Sequence, residues 1–156
     1  MALQVPHSLP QQRTRALWQP PSSTWFKINF DGATFVAENK FGIGVVIRDS
    51  QGIVIASLSQ VLPQAFQAVE VEALGVVRAL EFASELGIAQ AVLKGDSKVV
   101  MDALIEVDVS LSLYGLLIAD AKSFSLDFFQ LRYSHIKREG NNVTHSLTRH
   151  SYNYCF

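Results

Sequence analysis

The stretch WFKINFDGAT, residues 25–34, alternates apolar and polar side chains and then breaks at an acid and a glycine. In an extended chain Phe26, Ile28 and Phe30 share one face, and Trp25, Lys27, Asn29 and Asp31 share the other. A strand with three large apolar residues in register reads as central to a sheet. A carboxylate at the end of such a strand is costly unless it is paired or bound to a cation. The chemistry and the fold therefore meet at Asp31.

Downstream of this strand, residues 41–52 give an apolar run and a turn, Asp49-Ser50-Gln51-Gly52, and residues 53–60 give a second apolar run. Two such runs joined by a glycine-containing turn predict an antiparallel hairpin, and with the first strand a three-strand meander. Residues 68–87 place Val69, Ala73, Val76, Val77, Leu80 and Ala83 on one helical face, and Gly87 stops that helix. Residues 89–97 predict a fourth strand running into Asp96. Residues 97–107 predict a shorter helix with Val99, Val100, Ala103, Leu104 and Val107 inward. A further helix is expected over 110–123, a fifth strand within 125–139, and a last helix over 141–151 with Asn141 at its N-cap. The order implies an α/β fold: a five-stranded mixed sheet, an antiparallel meander followed by parallel strands, flanked by helices.

Upstream, residues 1–24 are rich in Pro, Gln and Ser and read as a tail or linker. The domain is expected over 25–151, with residues 152–156 as a short C-terminal tail. Residues 1–30 hold Arg13, Arg15 and Lys27 and no acid, which also suits an organelle transit peptide. The chain of 156 residues is 49% hydrophobic and 17% charged, with net charge −1, so it can build a sizeable core but lacks the basic excess of a dedicated nucleic-acid binder. Cys155 is the single cysteine, which excludes an internal disulfide or a Cys/His metal cluster and fits an intracellular location, nucleus or cytoplasm. No apolar run has the length of a membrane span.

Three acids hold unusual places. Asp31 ends the first strand, Asp96 ends the fourth, and Glu70 or Glu72 lies in the first turns of the long helix. If the first and fourth strands are parallel neighbours, their carboxyl ends share one edge, where ligands gather. Asp31 and Asp96 would then repel each other unless a cation sat between them, and a divalent metal is the economical choice. Each acid also has an ordinary reading: Asp31-Gly32 as a turn, Asp96 as a helix cap, Glu72 as a solvated helix residue. Periodicity does not choose between Glu70 and Glu72, which flank the apolar face on opposite sides.

Taken in order, FDGA at 30–33, EALGVVRALE at 72–81, GDS at 95–97 and HIKREGNNVTHSLTR at 135–149 resemble type 1 ribonuclease H, and more closely its plant-type, retroelement-derived branch, the RNase H-like domain of reverse transcriptases. The resemblance runs from about Trp25 to the last helix. It implies an endonuclease that cuts the RNA strand of RNA–DNA hybrids with two Mg²⁺ ions, with Mn²⁺ as a substitute. It assigns catalysis and metal binding to Asp31, Glu72 and Asp96, selecting Glu72 over Glu70. It gives His135 the part of the family's mobile histidine, and imidazole suits proton work near neutral pH. Gly32 and Asn141 would contact the substrate.

His145 stands where the bacterial pattern has a fourth metal-site carboxylate. It is assigned to the same catalytic and metal set, with neutral imidazole as ligand and no negative charge. Ala68 and Val69 replace the polar amides that precede the catalytic glutamate in the family, and residues 105–122 hold Lys122 as their only cation, so the basic protrusion of some bacterial members is absent. These departures leave a rival expectation, a catalytically weak or inactive nucleic-acid-binding module. Another nuclease on the same fold, and an α/β protein whose acids are only caps and turns, are the remaining alternatives. The expected state is a monomer, or a part of a larger polyprotein.

Overall fold

The computed structural model describes residues 25–62, 67–107 and 112–146; the tails expected at 1–24 and 152–156 lie outside them. The strands are β1 (Phe26–Phe35), β2 (Lys40–Arg48), β3 (Val54–Leu62), β4 (Gln90–Gly95) and β5 (Gln130–His135). The helices are α1 (Ala68–Glu85), α2 (Lys98–Ile105) and α3 (Leu113–Ser125). Sheet order is β3-β2-β1-β4-β5. The β1–β2 and β2–β3 pairs are antiparallel, and the β1–β4 and β4–β5 pairs are parallel. This is the mixed sheet, meander first, that the pattern of strands predicts.

Local chemistry sets the junctions. The Asp49 carboxylate accepts from the Gln51 and Ile53 amides, both at 2.9 Å, and Gly52 takes φ +84 to turn the β2–β3 hairpin. Gln67 and Glu70 form a reciprocal capping box at the start of α1, and Gly87, at φ +76, follows its end. Phe26, Ile28 and Phe30 of β1, Phe41, Ile43, Val45 and Ile47 of β2, and Ala91 and Leu93 of β4 point at α1, which answers with Val71, Ala73, Val76, Leu80 and Ala83. Each large apolar side chain buried this fully contributes about 1.5–3 kcal/mol.

Three expectations change. β1 does not end at Asp31: its antiparallel pairing with β2 continues through Asp31↔Gly44 to Phe35↔Lys40, so Asp31 lies inside a strand. Val99 and Val107 do not point inward; they are 63% and 91% exposed, because α2 is only eight residues long, buries Val100, Met101 and Leu104, and ends before Val107. On α1 the innermost position of the first turn is Val71, not Val69. In the last helix, residues 142–146 are helical and the expected continuation over 147–151 lies outside the described residues. No helix among the described residues is long and apolar enough to cross a membrane.

Candidate metal centre

The parallel β1–β4 register runs from Phe26↔Ala91 to Asn29↔Lys94. The parallel course carries Asp31, two residues on in β1, and Asp96, one residue past the end of β4, to the same edge of the sheet. Two glycines allow the third acid to join them. A Cβ on Gly32 would meet Val71 Cγ1 at 2.8 Å and Val71 O at 2.9 Å, so a bare α-carbon is what lets the first turn of α1 lie against β1. A Cβ on Gly95 would meet the Phe30 ring at 2.4 Å, so the end of β4 also depends on glycine. Glu72 follows Val71 directly. One carboxylate oxygen from each of Asp31, Glu72 and Asp96 lies within 4.8 Å of the other two.

None of the ordinary readings of these acids describes their setting. Asp31 is inside a strand rather than a turn and is fully buried. Ser97, not Asp96, is the N-cap residue of α2. Glu72 is half-buried, whereas Glu70 is spent on the Gln67 amide in the capping box, which separates the two glutamates. Burial first, then the charges of Asp31 and Asp96, push the Glu72 carboxyl from 4.5 up to about 8, against a hydrogen bond from the Gly32 amide. Burial likewise raises Asp31, opposed by its hydrogen bond with His145.

The donor set fits a hard divalent cation. All three donors are carboxylate oxygens, the ligands such ions prefer. Glu72 Oε2 is buried and has no hydrogen-bond partner among the described residues, and burial first, with the neighbouring carboxylates after it, disfavours the charged form of Asp31 and Glu72 when no cation is bound. The nearest side-chain guanidinium, on Arg138, reaches Asp96 Oδ2 only at 3.7 Å and is largely exposed.

The other sequence-selected residues surround this cluster in different ways. His145 is not one of the three mutually close ligands; its Nδ1 lies 2.7 Å from Asp31 Oδ2, so it acts on Asp31 directly. His135 is exposed on the rim at the end of β5, with Nε2 3.1 Å from the Asp96 carbonyl oxygen. Asn141, to which the resemblance gives a substrate contact, is buried and engaged inside the protein. Its amide donates to the Phe30 carbonyl at 2.8 Å, and its oxygen accepts from Asn29 at 3.1 Å. Gly32, half-buried, serves α1 packing and Glu72 orientation. Asn29, Gly95 and Arg138 also shape the site, in roles the sequence pattern did not assign. Each left a trace without a role: Asn29 as a polar residue on the Asp31 face of β1, Gly95 inside GDS and Arg138 inside HIKREGNN.

The family described as reverse transcriptase-like matches residues 29–151. Comparison with curated proteins finds no match. Among solved structures, the N-terminal RNase H domain of a Mycobacterium tuberculosis protein, solved as a maltose binding protein fusion, is 22% identical at TM-score 0.76 and covers 84% of this chain and 95% of its own. RNase H1 from the halophilic archaeon Halobacterium salinarum is 20% identical at TM-score 0.78, covering 84% and 99%. LC11-RNase H1, isolated from compost by a metagenomic approach and solved in complex with an RNA/DNA hybrid, is 22% identical at TM-score 0.72, covering 80% and 94%. At these identities the likeness is one of fold: this chain has the RNase H fold.

Proposed function

We infer that this chain, which belongs to the reverse transcriptase-like family, is a metal-dependent endonuclease that hydrolyses the RNA strand of RNA–DNA hybrids. The observation that carries the reading is the meeting of Asp31, Glu72 and Asp96 within 4.8 Å on an RNase H fold. The hybrid bound to LC11-RNase H1 supports the substrate class. Asp31, Glu72 and Asp96 would hold Mg²⁺, two ions in the full site, with Mn²⁺ able to replace it. Bound divalent ions supply Lewis acidity for phosphodiester hydrolysis.

The chain's own residues do the rest. The Gly32 amide aims the Glu72 carboxylate into the cluster. His145 fixes the Asp31 carboxylate through its 2.7 Å contact. His135, exposed on the rim, is placed to exchange a proton with the departing 3′-oxygen. The working domain is residues 25–151.

Purified protein with Mg²⁺ or Mn²⁺ should cut an end-labelled hybrid and leave duplex DNA intact. Cutting that persists in EDTA would remove the mechanism. A second reading, a binding module with little turnover, draws on the His145–Asp31 contact, since the imidazole occupies a carboxylate oxygen that a metal ion would otherwise take. Hybrid binding without cleavage at saturating Mn²⁺ would select it.

A further inference from the structure

The face of the sheet turned away from α1 carries an unexplained row of cations. The pairings Arg48↔Lys27, Lys27↔Val92 and Val92↔Arg132 align these four residues across β2, β1, β4 and β5. Their neighbours Ile47, Ile28, Phe26 and Ala91 are fully buried on the α1 side, so the row itself faces the other way. In the next row, Val46, Asn29, Lys94 and Ser134, Val46 and Asn29 are buried, Asn29 against Asn141, and Lys94 adds a cation at the edge of that cover. Neither row contains an acid. Lys27 and Arg132 are exposed, and Arg48 and Lys94 are half-buried.

Lys27 and Arg48 are direct cross-strand partners, and like charges so placed destabilise a sheet. At strand spacings of about 4.8 Å the row spans about 14 Å. At its end the Arg132 guanidinium lies over the Trp25 ring, 4.5 Å from its centroid. A cationic sheet face with an aromatic ring at its margin matches the chemistry of single-stranded nucleic acid, whose phosphates seek cations and whose bases stack. It matches protein partners less well, because the row offers little apolar area.

We propose that this outer face, through Lys27, Arg48, Lys94, Arg132 and Trp25, binds single-stranded nucleic acid. The row through Lys27, Arg48 and Arg132 is set apart from the carboxylate cluster, with Lys27 about 13 Å from Asp31 along β1 at ~3.3 Å per residue, while Lys94, two residues before Asp96, forms the inner margin of the surface. Binding there needs no divalent ion, so it stands whether or not the chain hydrolyses hybrids.

The test is fluorescence anisotropy of a labelled single-stranded DNA of about 12 nucleotides, with the full chain, in EDTA and over a range of salt. Log affinity should fall with log salt at a slope of about −2 to −3, as three or four phosphate contacts require. Lys27→Ala/Arg132→Ala should weaken binding about tenfold or more and reduce the slope by about half. Trp25→Ala should weaken it about tenfold through lost stacking. Lys98→Ala on α2 should change it by less than about twofold. If the alanine pair melts early, Lys27→Gln/Arg132→Gln keeps the aliphatic stems and gives the same readout. Wild-type affinity in the double variant overturns the proposal. So does equal competition by heparin, a polyanion without bases, together with no effect of Trp25→Ala.

Discussion

Glu72 folds into a place where its own burial, and then Asp31 and Asp96, push its carboxyl up to about 8. Folding in metal-free buffer therefore takes up a proton here between pH 4.5 and about 8. This group's contribution to stability is full below 4.5 and is lost as pH rises through about 8. Glu72→Gln removes that titration. In EDTA the variant should melt higher than wild type at pH 8 and above, with the gain shrinking towards pH 4.5; circular dichroism melts across pH check it, and an unchanged pH dependence would contradict it. Asp31→Asn should abolish hybrid cleavage while leaving a folded protein, read by gel assay and by melting. Activity within about tenfold of wild type would mean that Asp31 supplies little to the transition state.

At the scale of elements, two close approaches decide where the acids go. Gly95→Ala would press a methyl into the Phe30 ring, already 2.4 Å from the ideal Cβ position. The expected cost is about 1–3 kcal/mol, measured by urea unfolding. A neutral result would show that the Phe30 ring gives way easily. Asn141→Ala strips partners from Asn29 and the Phe30 carbonyl, both buried, and should cost about 1–3 kcal/mol by the same measurement.

The elements themselves were largely legible: strand alternation and the α1 stripe follow directly from burial on one face. The misreadings have physical causes. Asp31-Gly32 looks like a turn because that pair commonly makes one, but β2 offers hydrogen-bonding partners as far as Phe35. Val99 and Val107 looked inward because helical spacing assumes a helix long enough to bury a full stripe, and α2 buries three residues.

Across the whole molecule, the carboxylates come from residues 31, 72 and 96, and only the strand order makes them neighbours. That adjacency was inferable once β1 and β4 were taken as parallel, because a shared edge follows from the register. The contacts made by residues 141 and 145 were not. They join segments 111 to 114 residues apart, and no local pattern encodes which face of the last helix meets β1. Choosing Glu72 over Glu70 needed the family resemblance, and the structure supplies the physical reason: the capping box occupies Glu70.

Divalent-ion titration followed by thermal melting bears most directly on the claim that these carboxylates form a cation site. Mg²⁺ or Mn²⁺ should raise the melting temperature of the wild-type chain progressively, the gain growing with the logarithm of ion concentration and reaching about 2.7 kcal/mol of stabilisation at a hundredfold excess over the dissociation constant. Asp31→Asn/Asp96→Asn should lose the shift. A wild-type chain that melts at the same temperature with and without the ions, or a double variant that gains as much as wild type, would contradict the account.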